Sequence, residues 1–479
     1  MEDRSNASGA NQLRRDSLGV AAVTFLVISA AAPLTVVAGV IPLAMLLGNG
    51  PGAAGAFLIA TVVLLVFAVG YVAMARHVTN AGGFYAMIAR GLGGKAGGAA
   101  SIVAIFSYNC MQIGVQGLVG VFASGTFSTF GINWPWYVWS FISIAMVAVL
   151  GYRRVDLSAR ILMVLVALEY AVVLVVLAAI LLAGGDSGLS LAPFSWSNIV
   201  SGAPALSLLF CFASFVGFES TVIYSEEAKN PQSTVPKATY LSVLLIGVFY
   251  VVTTWLMTVG EGTDKVMTTL GGLADPSQLI FLLSERYVGG AMASIMSILL
   301  VSSSFAAVVA FHNGVARYKF VAGREGILPE SIGVTHSTYQ SPHMGSLVQT
   351  VLAAVVVGLF AVLGRDPLLE LFTWLSMLGT LGIIGLMAAT SFAVVAFFVK
   401  DSHGENTLKT KIMPIAAGAV LAWLFVYIFI NFSGLTGAVG SMGWILPGLI
   451  VVSAAAGYVL AGNLKIRNAS KFEMLGRNV

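Results

Sequence analysis

The chain has 479 residues, 58% of them hydrophobic and only 9% charged, against about 25% charged in an ordinary soluble domain. Too few charges are present to coat a water-facing surface of that size, and so apolar a chain without short repeats is neither disordered nor fibrous. The composition therefore describes a polytopic membrane protein.

The first 17 residues are polar, and the apolar run after them is too long for the core of a cleavable signal peptide. A hydrocarbon layer about 30 Å thick takes about 20 apolar residues per helix. On that rule the chain reads as all-α with twelve transmembrane helices, over 18–47, 52–75, 97–122, 134–150, 157–183, 201–225, 240–259, 289–311, 345–363, 371–398, 412–432 and 442–460. With both ends placed in the cytoplasm, 21 of the 24 Lys and Arg fall on the inner side, leaving Lys265, Arg286 and Arg365 outside. That bias accounts for the net charge of +4 without a nucleic-acid partner.

In the first span, Ser29-Ala30-Ala31-Ala32-Pro33 puts a proline near mid-membrane among small residues. Proline removes a backbone donor and clashes with the preceding turn. The third span carries Tyr108, Asn109, Gln112 and Gln116 at helical spacing, the pattern of polar side chains that join membrane helices. The fifth carries Glu169 deep in oil, with no Lys or Arg expected within any span. A buried intramembrane carboxyl is by default functional, and Glu169 is a candidate proton-coupling group. The sixth, Ala213-Ser214-Phe215-Val216-Gly217-Phe218-Glu219, sets a glycine and a second carboxyl mid-membrane. In the eighth, Ser302-Ser303-Ser304 could coordinate an ion or join helices, with Ser302 and Ser303 the possible polar site. The five histidines read as solvated or interfacial. Cys110 and Cys211 are too few for a disulfide scaffold or zinc site, so neither metal nor cofactor is expected.

Breaks in the first and sixth spans, five apart, mark a transporter of inverted repeats, in which freed backbone groups hold the substrate. The chain then divides into a cytoplasmic tail 1–17, a core 18–400 with repeats 18–183 and 201–400, two further spans within 401–461, and a second cytoplasmic tail 462–479.

Three stretches are shared with a known group. Asn80-Ala81-Gly82-Gly83-Phe84-Tyr85-Ala86 follows the second span; Phe215 to Glu219 with Glu226-Glu227-Ala228-Lys229-Asn230-Pro231 closes the sixth; Ala322-Gly323-Arg324-Glu325-Gly326-Ile327-Leu328-Pro329 follows the eighth. Together they resemble the amino acid–polyamine–organocation transporters. The resemblance implies a leucine-transporter-like fold, spans 1–5 and 6–10 inverted, with discontinuous helices 1 and 6 and two C-terminal helices. It places the substrate's carboxylate at the backbone around Ala30–Pro33 and its amine at carbonyls around Ala213–Val216, with Glu219 in binding and gating. Ser29 and Asn109 join this expected substrate-binding set. Glu169 falls where proton-coupled relatives carry a lysine between the first, fifth and eighth spans. The first span departs from the family's Gly-Ser-Gly run.

The expected function is amino acid transport by alternating access in the plasma (inner) membrane, as proton-coupled symport. A putrescine-like polyamine importer and an amino acid/amine exchanger are the alternatives. An embedded enzyme would need converging His, Cys or acid groups, and a channel polar rings through many spans. Neither pattern is present.

Overall fold

The computed structural model describes residues 18–78, 80, 82–153, 159–438 and 440–477. The tail 1–17 and Ala81 lie outside the described residues, as do the side chains of Ala30, Glu226 and Glu227. Among the described residues every regular element is helical, apart from one bridge between Leu18 and Ala228.

Eleven helical runs are long and apolar enough to cross a membrane. The first, Val20–Ala75, has 56 residues. At ~1.5 Å per residue it would reach about 84 Å, nearly three bilayer cores, so it must fold back. It does so at Gly48, whose backbone leaves the helical region, and at Gly50, with φ of +58° before Pro51. The run therefore makes two passes, which restores the twelve spans read from the sequence.

The first span is broken where the proline predicts. Helix Val20–Ala31 ends at Ala32, held left-handed at φ +43°, and Pro33 begins a second helical segment that continues to Asn49. The sixth breaks after Pro204–Phe215, where Val216 turns extended and Gly217 takes φ +114°, before a short helix Ser220–Ile223. Both breaks follow a helix of 12 residues. The two spans run antiparallel and are tied at both ends: Lys229 N–H donates to Leu18 O (2.9 Å) on one face, and Ala203 N–H to Gly48 O (2.9 Å) on the other.

Two spans extend well past their expected ends. The third runs Gly94–Ser128 and is the most enclosed; the eighth runs Gly290–Arg324. The eighth was expected to stop at residue 311, so Lys319, assigned to a loop, is instead buried in a helix. Trp136–Arg153, His343–Val362, Met413–Thr436 and Met442–Arg467 are among the least enclosed helices, with side chains such as Val362, Trp423 and Val452 bare. An apolar surface of that extent fits lipid and not water.

Beyond the last span, the short helix Ala469–Glu473 starts a strap across one face. Gly476 N–H donates to Glu325 Oε2 (3.1 Å), Asn80 Nδ2 to Arg477 O (3.1 Å), and Lys471 pairs with Glu330. Leu475 is buried beneath it.

Candidate functional site

The break at Ala32 and Pro33 bares the first amides of the helical segment that follows. Such a helix start holds unpaired N–H donors and a partial positive charge. Both are met from other spans. Glu169, in Ala159–Ala183, accepts from Leu34 N–H (3.3 Å) and from the Ser303 hydroxyl (2.6 Å). Ser303 in turn accepts from Thr35 N–H (3.3 Å) and Thr35 Oγ1 (3.1 Å). Tyr250 donates to Ala31 O (3.1 Å) on the other side of the break. One buried carboxyl thus pins the first span to the fifth and eighth, and Glu169 is 1% exposed.

The sixth-span break is held by the second carboxyl. Glu219 Oε2 accepts from Gly217 N–H (3.0 Å), its Oε1 from the Tyr108 hydroxyl, and its own carbonyl from Tyr71 (2.8 Å). Phe218 packs edge-on against Phe67 and Tyr71. Gly217 is required here, since a side chain at φ +114° is strained.

Between the two breaks lies a cavity of about 30 Å³ lined by Ala31, Ala32, Thr35, Val36, Ala213 and Phe311, with Met111, Val115 and Leu118 of the third span. Phe372 and Ser376 close it from the tenth. No charged side chain lines it, and Ser376 Oγ is buried without a hydrogen-bond partner among the described residues. A second cavity of about 30 Å³, walled by Tyr108, Gly217, Gly314, Arg317 and Tyr318, sits on the side of the Leu18 face, and Phe311 separates the two.

Several expected site residues lie elsewhere. Ala31, Ala32 and Ala213 line the first cavity, and Gly217 lines the second. Ser29 and Ser214 turn their hydroxyls back to Phe25 O and Phe210 O, the preceding turn of their own helices. Pro33, Phe215 and Val216 are buried behind the wall. Asn109 lines neither cavity and is bonded to Ile105 O and Lys319. Ser302 is likewise separated from Ser303; its hydroxyl returns to Leu299 O and its side chain lines an apolar crevice with Phe127 and Trp139. Consecutive helical residues point about 100° apart, so only one of two neighbouring serines can meet Glu169.

The third-span polar stripe joins helices, as its spacing allowed. Gln116 bonds to Ser140 O of the fourth span (2.8 Å) and Gln112 accepts from Gln349 of the ninth (2.6 Å). Met111, Val115 and Leu118, on a separate stripe of the same helix, face the cavity. Their spacing of four and three marked an apolar helix face, and nothing in it distinguished a cavity wall from packing. His312 is 1% exposed and bonded to Ser346 (2.7 Å), not interfacial.

Two antiparallel, interrupted helices, a cavity at their breaks and buried carboxyls that hold the bared backbone define a secondary transporter. The sequence profile of the amino acid permease family matches residues 18–455, and the chain belongs to that family. The branched-chain amino acid permease of Bacillus subtilis is 24% identical over 84% of this chain and 85% of its own. The low-affinity putrescine importer of Escherichia coli is 25% identical over 46% of this chain and 49% of its own. Among solved structures, a manganese transporter of Eremococcus coleocola superposes with a TM-score of 0.58 at 13% identity, covering 98% of this chain and 99% of that one. That last likeness concerns the fold alone. The protein is an amino acid transporter of the membrane.

Proposed function

We propose that the chain imports amino acids with small apolar side chains across the plasma membrane by alternating access, coupled to protons at Glu169. The halves 18–183 and 201–400 act as the inverted repeats, with Leu18, Arg76 and the strap on the cytoplasmic face. The positive-inside bias supports that orientation. The three remaining cations each pair with an acid: Lys265 with Asp186, Arg286 with Glu261, and Arg365 with Glu370.

The observation that carries the reading is Glu169 at the start of the second half of the first span. As an anion it is attracted to that helix N-terminus; once protonated it is held less tightly. Proton uptake and release at this carboxyl would therefore alternately free and pin the broken helix. The main cavity of about 30 Å³ has room for one water, whereas ligand sites hold roughly 300 Å³ or more. Substrate entry then requires the two broken helices to part. An apolar wall supports a leucine- or valine-like side chain, as the name of the Bacillus subtilis relative does. The amine alternative lacks support on one point: both Glu219 oxygens are engaged outside the main cavity, and no other carboxyl lines it.

Proteoliposomes test this. An inward proton gradient is expected to drive accumulation of labelled leucine or valine and not of putrescine. Glu169→Gln is expected to abolish accumulation while counterflow persists. Unchanged accumulation in that variant would remove the proton role, and putrescine uptake the substrate reading.

A further inference from the structure

Lys319, five residues before the end of the eighth span, is 4% exposed, and no ion pair among the described residues includes it. Its Nζ donates to Gln349 Oε1 of the ninth span (2.9 Å) and to Asn109 Oδ1 of the third (3.4 Å). Gln349 Nε2 passes the chain on to Gln112 Oε1 (2.6 Å). The ninth helix closes over the lysine through Gly345, where an added Cβ would stand 2.9 Å from Ala316 O. An ammonium buried with only amide oxygens for partners is costly, and an apolar side chain of the same volume would fill the space without that cost. What the lysine adds is direction: both amides turn their carbonyls toward it, so three spans meet at one atom in one register.

That register has a visible consequence. Tyr108 precedes Asn109 and Tyr318 precedes Lys319, and the two tyrosine rings stack with centroids 5.2 Å apart and planes 24° from parallel. The third and eighth spans are thus joined by adjacent pairs at one level. The polar pair faces the ninth span, and the aromatic pair faces the broken sixth span, where the Tyr108 hydroxyl donates to Glu219. A slip of one residue moves a helix by ~1.5 Å and turns it about 100°, enough to carry that hydroxyl out of hydrogen-bond reach.

We infer that Lys319 is a positioning residue for the inner closure of the transporter: it fixes the register of the third span against the eighth and ninth that brings Tyr108 onto Glu219. The inference rests on the alternating-access reading above, in which the sixth-span break opens toward the cytoplasm.

Labelling from the cytoplasmic side separates the two ideas. Gly314 lines the inner cavity, and a Cβ there meets nothing within 4 Å, so Gly314→Cys is the reporter, read with an impermeant maleimide in inside-out vesicles. The native Cys110 and Cys211 are buried, and the parent chain sets the background. Tyr108→Phe is expected to raise the labelling rate roughly fivefold or more, the shift that follows loss of one hydrogen bond. Lys319→Met is expected to raise it as much, and to add nothing on top of Tyr108→Phe. A lysine that merely stiffened the scaffold would add its own increment in the double variant, and that result overturns the inference. So does parent-level labelling in Lys319→Met when Tyr108→Phe labels fast, which leaves the inner closure standing. Slow labelling in Tyr108→Phe overturns the closure itself and the inference with it. Should Lys319→Met fail to reach the membrane, Gln349→Leu removes the acceptor instead: faster labelling supports the inference, and parent-level labelling overturns it.

Discussion

At Ser303 one hydroxyl serves two broken contacts at once, donating to Glu169 and accepting from Thr35. Removing it leaves Glu169 Oε2 with Leu34 N–H alone and takes the acceptor from the Thr35 amide, at a cost of about 1–3 kcal/mol. Ser303→Ala is therefore expected to lower proton-driven uptake about tenfold or more, the kinetic equivalent of that cost, while surface expression persists. Ser302→Ala, whose hydroxyl only returns to its own helix, is expected to leave uptake unchanged in the same assay. The sequence shows three serines in a row and two acids in oil, and it is enough to single these residues out. It does not show which way each points. The phase of a long helix fixes that choice, and Ser302, Ser303 and Asn109 illustrate it: the hydroxyl that matters and the two side chains that do not reach the cavity are equally polar on paper. Lys319 was hidden by a different cause. The residues around it, Ala316-Arg317-Tyr318-Lys319-Phe320, include two cations and resemble the start of a loop, whereas the helix continues because both cations find partners within the protein.

At the scale of single elements, the two breaks differ in how they are made. The first depends on Pro33, which cannot donate and which disfavours the right-handed helical region at Ala32; Ala32 sits instead in the left-handed region. The second depends on Gly217 and its φ of +114°. Gly217→Ala is expected to destabilise the protein by about 1–3 kcal/mol, read as a lower melting midpoint, and to suppress transport further because the Gly217 N–H to Glu219 contact moves with the backbone. The loops after the fifth and seventh spans show a contrasting, insensitive tie. Lys265 donates to Asp186, and the hydrogen bonds it and Ser187 supply hold the Asp186 carboxyl below its ordinary range, while the same hydrogen bond raises Lys265 above its own. A depressed carboxyl contributes above its unfolded value and loses that contribution only as pH falls through the lowered one; a raised lysine contributes until pH climbs through the raised one. The tie is thus intact over the range between the lowered carboxyl and the raised lysine. Asp186→Asn is expected to leave the shape of the pH profile of leucine uptake unchanged, which assigns that profile to groups elsewhere.

For the whole molecule, span number, the two interruptions and the membrane class were legible because each follows from a strong local signal: apolar length, proline, glycine and the placement of Lys and Arg. The enclosure of the site was not legible. It arises where ordinary helix-packing residues of the third and tenth spans bring Met111, Phe372 and Ser376 against residues of the first. With the two cavities at the breaks this small, the structure is a closed form, and ligand that binds a more open form must work against it. Purified protein is accordingly expected to gain only a few degrees in melting midpoint with saturating leucine or valine, and nothing with putrescine, in a thermal-shift titration.

The strap across the Leu18 face reaches Glu325 and Asn80 with its last described residues, Gly476 and Arg477. Those two partners belong to the loops after the eighth and second spans, so the strap up to Arg477 bridges two separate loops. Anyone appending an affinity tag or fluorescent fusion downstream of Arg477 is pulling on that bridge, and a kinetic comparison between tagged and cleaved protein is needed before either is taken as native behaviour.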